Sequence, residues 1–273
     1  MKRKFFNKKD YWIEEKERRL FLYKNDLIQK LWKIKKITGT TFAQLTKENP
    51  FKGEFDLFCN IFSLTPPLLI SKYVDVGVVV EPKVIEFLHQ KFPNHKIKHI
   101  EAKDVGYDMF ARDSFFGGVP DGFCETEDSI IEIKTTSITK KHEIMNKKIP
   151  QHYIRQAQLY CYLMNKQKFK FVYAFIDETK GEYENPHKIK LSDSNTFIVD
   201  FKFDRKEFEP LVHYAKKWYL WYISNLFRRH SPQWDIEKDK LLVEYLKCET
   251  AQEWENLLAK WKKLGIADDK VQA

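Results

Sequence analysis

Four cysteines in 273 residues, Cys59, Cys124, Cys161 and Cys248, lie far apart and form no CxxC pair. That scarcity excludes the spacing of zinc ribbons and iron–sulfur clusters and suits a reducing cytoplasm, the expected location. No apolar run approaches the roughly 20 residues that a membrane-spanning helix needs, so no membrane association is expected. The basic stretch MKRKFFNKKD passes into YWIEEKERR rather than an apolar segment, so no signal peptide is expected. Internal repeats, low-complexity segments and obvious linkers are also lacking. The expectation is one domain over residues 1–273, with a core at about 33–203 and a helical extension at about 204–273.

What is present is a chain 43% hydrophobic and 15% aromatic, ample for a sizeable core. Its net charge of +9 suits a polyanionic partner such as nucleic acid. A source rich in Lys, Asn, Ile and Phe would give the same excess without one. Residues 10–32 carry apolar side chains at helical spacing and read as helical. Thr41 and Gln44 have the spacing of a capping box at the start of a further helix. A helical region follows Pro67 to about Phe92, and strands are expected at 95–101, 118–125, 129–135, 168–176 and 195–203. Helices are expected at about 150–165, 205–228, 236–247 and from Thr250, whose capping partner is Glu253. The fold class is therefore α/β, a central mixed sheet flanked by helices, with helical N- and C-terminal additions.

Within GGVPDGFCETEDSIIEIKTT, residues 117–136, an apolar strand carries two opposite charges. Strand residues two apart share a face, so Ile131 and Ile133 point one way, Glu132 and Lys134 the other. Asp121 stands upstream of Glu132 with ten residues between them, in the chain's only Pro-Asp dipeptide. A surface strand with an exposed Glu–Lys face would show the same pattern. The chemical reading is a metal-dependent nuclease. Phosphodiester hydrolysis needs an attacking water, stabilisation of phosphoryl charge and help for the leaving alkoxide. Mg²⁺ prefers oxygen ligands, which Asp121, Glu132 and the Ile133 carbonyl would supply. Lys134 would orient or activate the water and counter the clustered negative charge.

A third carboxylate is Glu81, on one helical face with Val84, Ile85 and Leu88. Carboxylates on apolar stripes are costly unless paired or bound to metal, although Pro82 would also suit Glu81 as a helix cap. Downstream, IPQHYIRQAQLYCYLM offers Gln158, Tyr162 and Arg155 for a water or a phosphate. Lys33, Lys35 and Lys36 precede Thr38 and Thr40 just before a helix start, an arrangement able to bind an anion or simply to be solvated.

In their order, GVVVEPKVIEF, VPDGFC, IIEIKTT and YIRQAQLYCYLM resemble the PD-(D/E)XK nuclease superfamily, in its lambda-type exonuclease, phage recombinase (YqaJ-like) branch. The resemblance runs from about Lys33 to Asp177. It implies a restriction-endonuclease-like core with Glu81, Asp121, Glu132 and Lys134 at the catalytic centre, and Gln158 and Tyr162 supporting them. It further implies a Mg²⁺ cofactor (with Mn²⁺ as the alternative) and digestion of double-stranded DNA from 5′ ends in recombination or repair. A ring-shaped homotrimer and a single-strand annealing protein as partner are implied too. Lys33 and Thr40 fall at the branch's 5′-phosphate positions, with lysine where arginine is typical, which loses the bidentate fork. An endonuclease of the same fold and a non-catalytic DNA-binding protein are the alternatives.

Overall fold

The computed structural model describes residues 3–23, 34–224 and 230–273. Lys33 lies outside them. The chain divides into two compact units, one made of Met1–Ile37, Thr41–Ile70 and Leu211–Ala273, the other of Thr38–Thr40 and Ser71–Pro210.

The first unit opens with a hairpin, β1 (Tyr11–Glu14) and β2 (Arg19–Leu22), rather than the helix that its spacing suggests. Tyr11 sits opposite Leu22 and Trp12 opposite Phe21. The Trp12 and Phe21 rings stack at 4.9 Å. Tyr11, Leu20 and Leu22 are buried. A period of two collects them on one face as well as a helical period would, and the turn at Arg18, with φ +54°, closes the pair. After β3 (Ile37–Thr38), helix α1 (Gly39–Phe42) is a single turn containing Thr41. Thr41 therefore lies inside a helical turn rather than at the start of the expected helix. Helix α2 (Glu54–Ile61) buries Phe55, Leu57, Phe58 and Ile61.

The second unit is built on α3 (Lys72–Lys91), β4 (Ile97–His99), β5 (Phe116–Gly117), β6 (Gly122–Cys124), β7 (Ser129–Ser137), α4 (Lys141–Met145), α5 (Gln151–Met164), β8 (Lys168–Ile176) and β9 (Thr196–Lys202). The five-stranded sheet has the order β4-β6-β7-β8-β9. Only β7 and β8 run parallel; the other neighbours are antiparallel. This is the expected central mixed sheet with flanking helices. Val76, Val80, Val84, Ile85 and Leu88 of α3, at spacings of three and four, pack with Ile131, Ile133, Val172, Ala174 and Ile176. The helix runs unbroken through Pro82, so Glu81 is an interior helical residue rather than a cap.

Helix α6 (Arg205–Tyr219) leads back to the first unit, which ends in α7 (Lys240–Lys247) and α8 (Ala251–Lys263). Trp254, Leu258 and Trp261 form the buried stripe of α8. The Thr250 side chain accepts a hydrogen bond from Glu253 N at 3.2 Å, and the Glu253 carboxylate accepts one from Glu249 N at 2.8 Å. Thr250→Ala should therefore cost about 1 kcal/mol, read as a fall of about 2–4 °C in Tm without loss of fold.

Candidate active site

Strand β6 pairs with β7 only as far as Gly122 opposite Ile131. Beyond that point Asp121 replaces the missing strand partner: its Oδ2 accepts from Ile133 N at 2.6 Å. A strand residue's N–H and C=O point to the same edge, so the Ile133 carbonyl is aimed to that edge too. Glu132 is fully buried, and its Oε2 accepts from Lys134 Nζ at 2.8 Å. Its other oxygen, Oε1, is buried and has no hydrogen-bond partner. From α3, Glu81 Oε1 is hydrogen-bonded to His99 Nε2 at 2.7 Å. Each carboxylate thus engages a protein group through one oxygen. A buried carboxylate oxygen with nothing to bind is costly, and a hard cation is the partner that would satisfy it.

The charges act on one another. Burial and then Asp121 raise the pKa of Glu81. Burial raises Asp121, against the pull of Lys134. Glu132 is pushed up to about 8 by burial, opposed by Lys134 and reinforced by Asp121 and Glu81. Burial works against the Lys134 ammonium, but the Glu132 and Asp121 carboxylates outweigh it and hold Lys134 above its ordinary value. Lys134 also lies over the Tyr153 ring at 5.2 Å. In the metal-free site it is therefore held in its protonated form, donating to Glu132.

The other expected site residues fall differently. Gln158 Oε1 accepts from Arg155 Nη1 at 2.8 Å, so its partner is Arg155 rather than a carboxylate. Tyr162 packs beneath the Arg205 guanidinium at 4.2 Å and beside Phe208. Tyr153, Gln156 and Tyr160 share the face of α5 that meets the site, and Gln158, about 200° around the helix from both Gln156 and Tyr160, lies on the opposite side. Thr38 and Thr40 flank Gly39, where an added Cβ would lie 2.6 Å from Tyr160 Cζ, so that segment is held against α5. Lys35 belongs to the first unit, where it lines a cavity of about 410 Å³ with Arg3, Lys4 and Ser63. Burial lowers its pKa.

Residues 30–167 match the model of the YqaJ-like viral recombinase domain, half of the chain. The chain belongs to this family. Similar proteins include the "Uncharacterized protein MG373" of Mycoplasma genitalium, 28% identical over 70% of this chain and 81% of that protein. Among solved structures, an alkaline exonuclease (LHK-Exo) from Laribacter hongkongensis is 16% identical, with a TM-score of 0.49 over 85% of this chain and 96% of its own. A phage-related exonuclease from Haemophilus somnus 129PT is 15% identical, with a TM-score of 0.49 over 70% of this chain and 96% of its own.

Two residues of this YqaJ-like chain escaped sequence reasoning. His99 ends β4, opposite Gly122, and the sheet alone brings it to Glu81. Tyr160 sits under Gly118, where φ is +118° and an added Cβ would lie 2.8 Å from the tyrosine oxygen. Its hydroxyl bonds the Val119 backbone and Gln156, holding the segment that delivers Asp121. Neither residue had a sequence signal, because each is tied to its partner by packing rather than by spacing. His99→Ala should release Glu81 and raise the metal concentration for half-maximal activity by about 10–100-fold, as loss of a ligand's supporting hydrogen bond does elsewhere. A metal titration of activity checks this, with His99→Gln expected to retain part of the affinity.

Proposed function

We propose that this YqaJ-like protein is a metal-dependent nuclease that hydrolyses the phosphodiester bonds of double-stranded DNA from ends, 5′→3′, in recombination or repair. The observation that carries the reading is the buried, unpartnered Glu132 Oε1 beside Lys134, with Asp121 and Glu81 raising its affinity for a proton. Asp121, Glu132, Glu81 and the Ile133 carbonyl would hold Mg²⁺, or Mn²⁺ in its place, an all-oxygen set suited to a hard cation. When bound, the ion supplies Lewis acidity toward the phosphoryl oxygens and a more acidic water. The protonated Lys134 donates to the attacking water or to the phosphoryl oxygen on which charge develops. His99 fixes the Glu81 carboxylate. Thr38 and Thr40, with Lys33 and Lys35, are assigned to the DNA phosphates, and Arg155, Gln158 and Tyr162 to a supporting role. The whole chain is taken as one nuclease domain with a C-terminal helical extension.

The family resemblance adds a homotrimer and a single-strand annealing partner to this reading, and the scattered cysteines add a cytoplasmic setting. The test compares end-labelled linear duplexes, 5′-phosphorylated or not, with covalently closed circles, in Mg²⁺ and in chelator. Digestion of linear DNA in Mg²⁺ alone, faster with a 5′ phosphate and sparing circles, is the expected result. Cutting of closed circles would replace the exonuclease by an endonuclease. Salt-sensitive binding without cleavage would leave a DNA-binding protein only.

A further inference from the structure

The turn end of the β6–β7 hairpin holds a second donor set, chemically unlike the carboxylate centre. His95, Cys124 and Glu127 each place one ligand atom so that all three lie within 4.8 Å of one another. We propose that these three residues form a binding site for a borderline transition-metal ion of the Zn²⁺ class.

The donors come from three segments locked by backbone pairing. His95 closes the turn after α3, its N–H donating to Phe92 O at 2.9 Å, and its ring stacks on Phe92 at 5.1 Å. Cys124 ends β6 opposite Ile97, so pairing of β4 with β6 sets the thiol near the imidazole. Glu127 rides the tight connection to β7, anchored by Glu125 N donating to Lys96 O at 2.9 Å and by Asp128 at φ +54°.

The independent pointer is His95 Nδ1, buried and without a hydrogen-bond partner. Its nearest carboxylate oxygen, Glu127 Oε2, is 3.7 Å away, too far for a hydrogen bond. Buried ring nitrogens are normally satisfied, and a metal satisfies this one. A thiolate, an imidazole and a carboxylate together suit Zn²⁺ or Co²⁺ rather than Mg²⁺, which takes oxygen ligands. Bond lengths of about 2.0–2.3 Å put tetrahedral ligands about 3.3–3.8 Å apart, so the side chains must draw in by about 1 Å.

Charge also balances. A thiolate and a carboxylate neutralise the dication, while Lys170, ion-paired with Glu127, is itself matched by Asp200 at 3.3 Å. Lys170 holds Glu127 through Oε2, the oxygen nearest His95, and so fixes the carboxylate beside the imidazole, as supporting partners of metal ligands do. The His95 and Glu127 side chains are 27% and 33% exposed, which gives the ion a route from solvent and room for a water as fourth ligand. The ion would tie the end of the Glu81 helix to the hairpin that carries Asp121 and Glu132.

Cobalt distinguishes this site from the carboxylates, because only a thiolate gives a near-ultraviolet sulfur-to-cobalt charge-transfer band. Titrating Co²⁺ into the metal-free full-length protein should raise such a band to one equivalent. Zn²⁺ should displace it and excess Mg²⁺ should not. Cys124→Ser should lose the band, Cys161→Ser should keep it, and His95→Gln should weaken Co²⁺ binding by about tenfold or more. His95→Gln, at a partly exposed position, keeps the test open should Cys124→Ser fail to fold. No band in the wild-type protein, or an equal band and affinity in both site variants, would overturn the proposal. The outcome is independent of whether the protein cuts DNA.

Discussion

Replacing Lys134 with methionine should lower cleavage of linear duplex DNA by about 10³-fold or more while the protein stays folded. The expected loss is large because Lys134 is both the charge that offsets the buried carboxylates and the side-chain donor to Glu132. Without it, burial, Asp121 and Glu81 together favour a proton on Glu132 with the Lys134 charge no longer opposing them. Glu132 would become a neutral acid and a poor metal ligand. Neutralisation also limits the structural damage, since an unpaired buried charge would otherwise cost about 3–5 kcal/mol.

Proton linkage supplies a second readout. In the metal-free wild type the raised Glu132 favours the folded state fully below its unfolded value of 4.5, and that contribution is lost as pH rises toward about 8. A metal needs the carboxylate ionised, so the Tm gain on adding Mg²⁺ should grow over the same interval. Glu132→Gln should remove that pH dependence. Cleavage by Lys134→Met at the wild-type rate would refute the assignment of Lys134. A pH-independent metal shift in the wild type would refute that of Glu132.

Gly122→Ala should cost about 2 kcal/mol of stability and reduce cleavage by about a hundredfold, through geometry alone. A Cβ at Gly122 would lie 2.6 Å from Lys98 O, 3.5 Å from Lys98 C and 3.7 Å from His99 Cα. All three are backbone atoms of β4, so no side-chain rotation relieves the clash. The strands must part, and both active-site segments move with them. Asp121 O accepts from Ile100 N at 3.1 Å, and His99 holds Glu81. Thermal unfolding and initial rates check the two effects together. Unaltered Tm and rate would show that β4 does not position the site.

Much of the sheet was legible. The alternation of Ile131 and Ile133 with Glu132 and Lys134 describes β7 as it stands, with the isoleucines against α3. The run at 168–176 coincides with β8, because a strand buried on both faces reads as an apolar run bounded by polar residues. The Thr250–Glu253 cap was readable because both partners sit within one turn. The hairpin at 11–22 was not, since its charges and apolar residues fit two periods and a cross-strand pairing decided between them. The first strand after residue 117 was also cut short: Val119, Pro120 and Asp121 lie outside β6, and that break frees Asp121 to reach Ile133.

By itself the sequence determined the residue types and the order of Glu81, Asp121, Glu132 and Lys134, because local period puts Glu81 on a helix face and Glu132 and Lys134 on a strand face, with Asp121 in the turn before them. Only the tertiary structure decided that His99 meets Glu81, that Tyr160 braces the segment before Asp121, and that His95, Cys124 and Glu127 converge. Those meetings come from pairing β4 with β6 and from packing α5 against the sheet. Contacts between distant segments depend on strand register and helix rotation, which no spacing along the chain encodes.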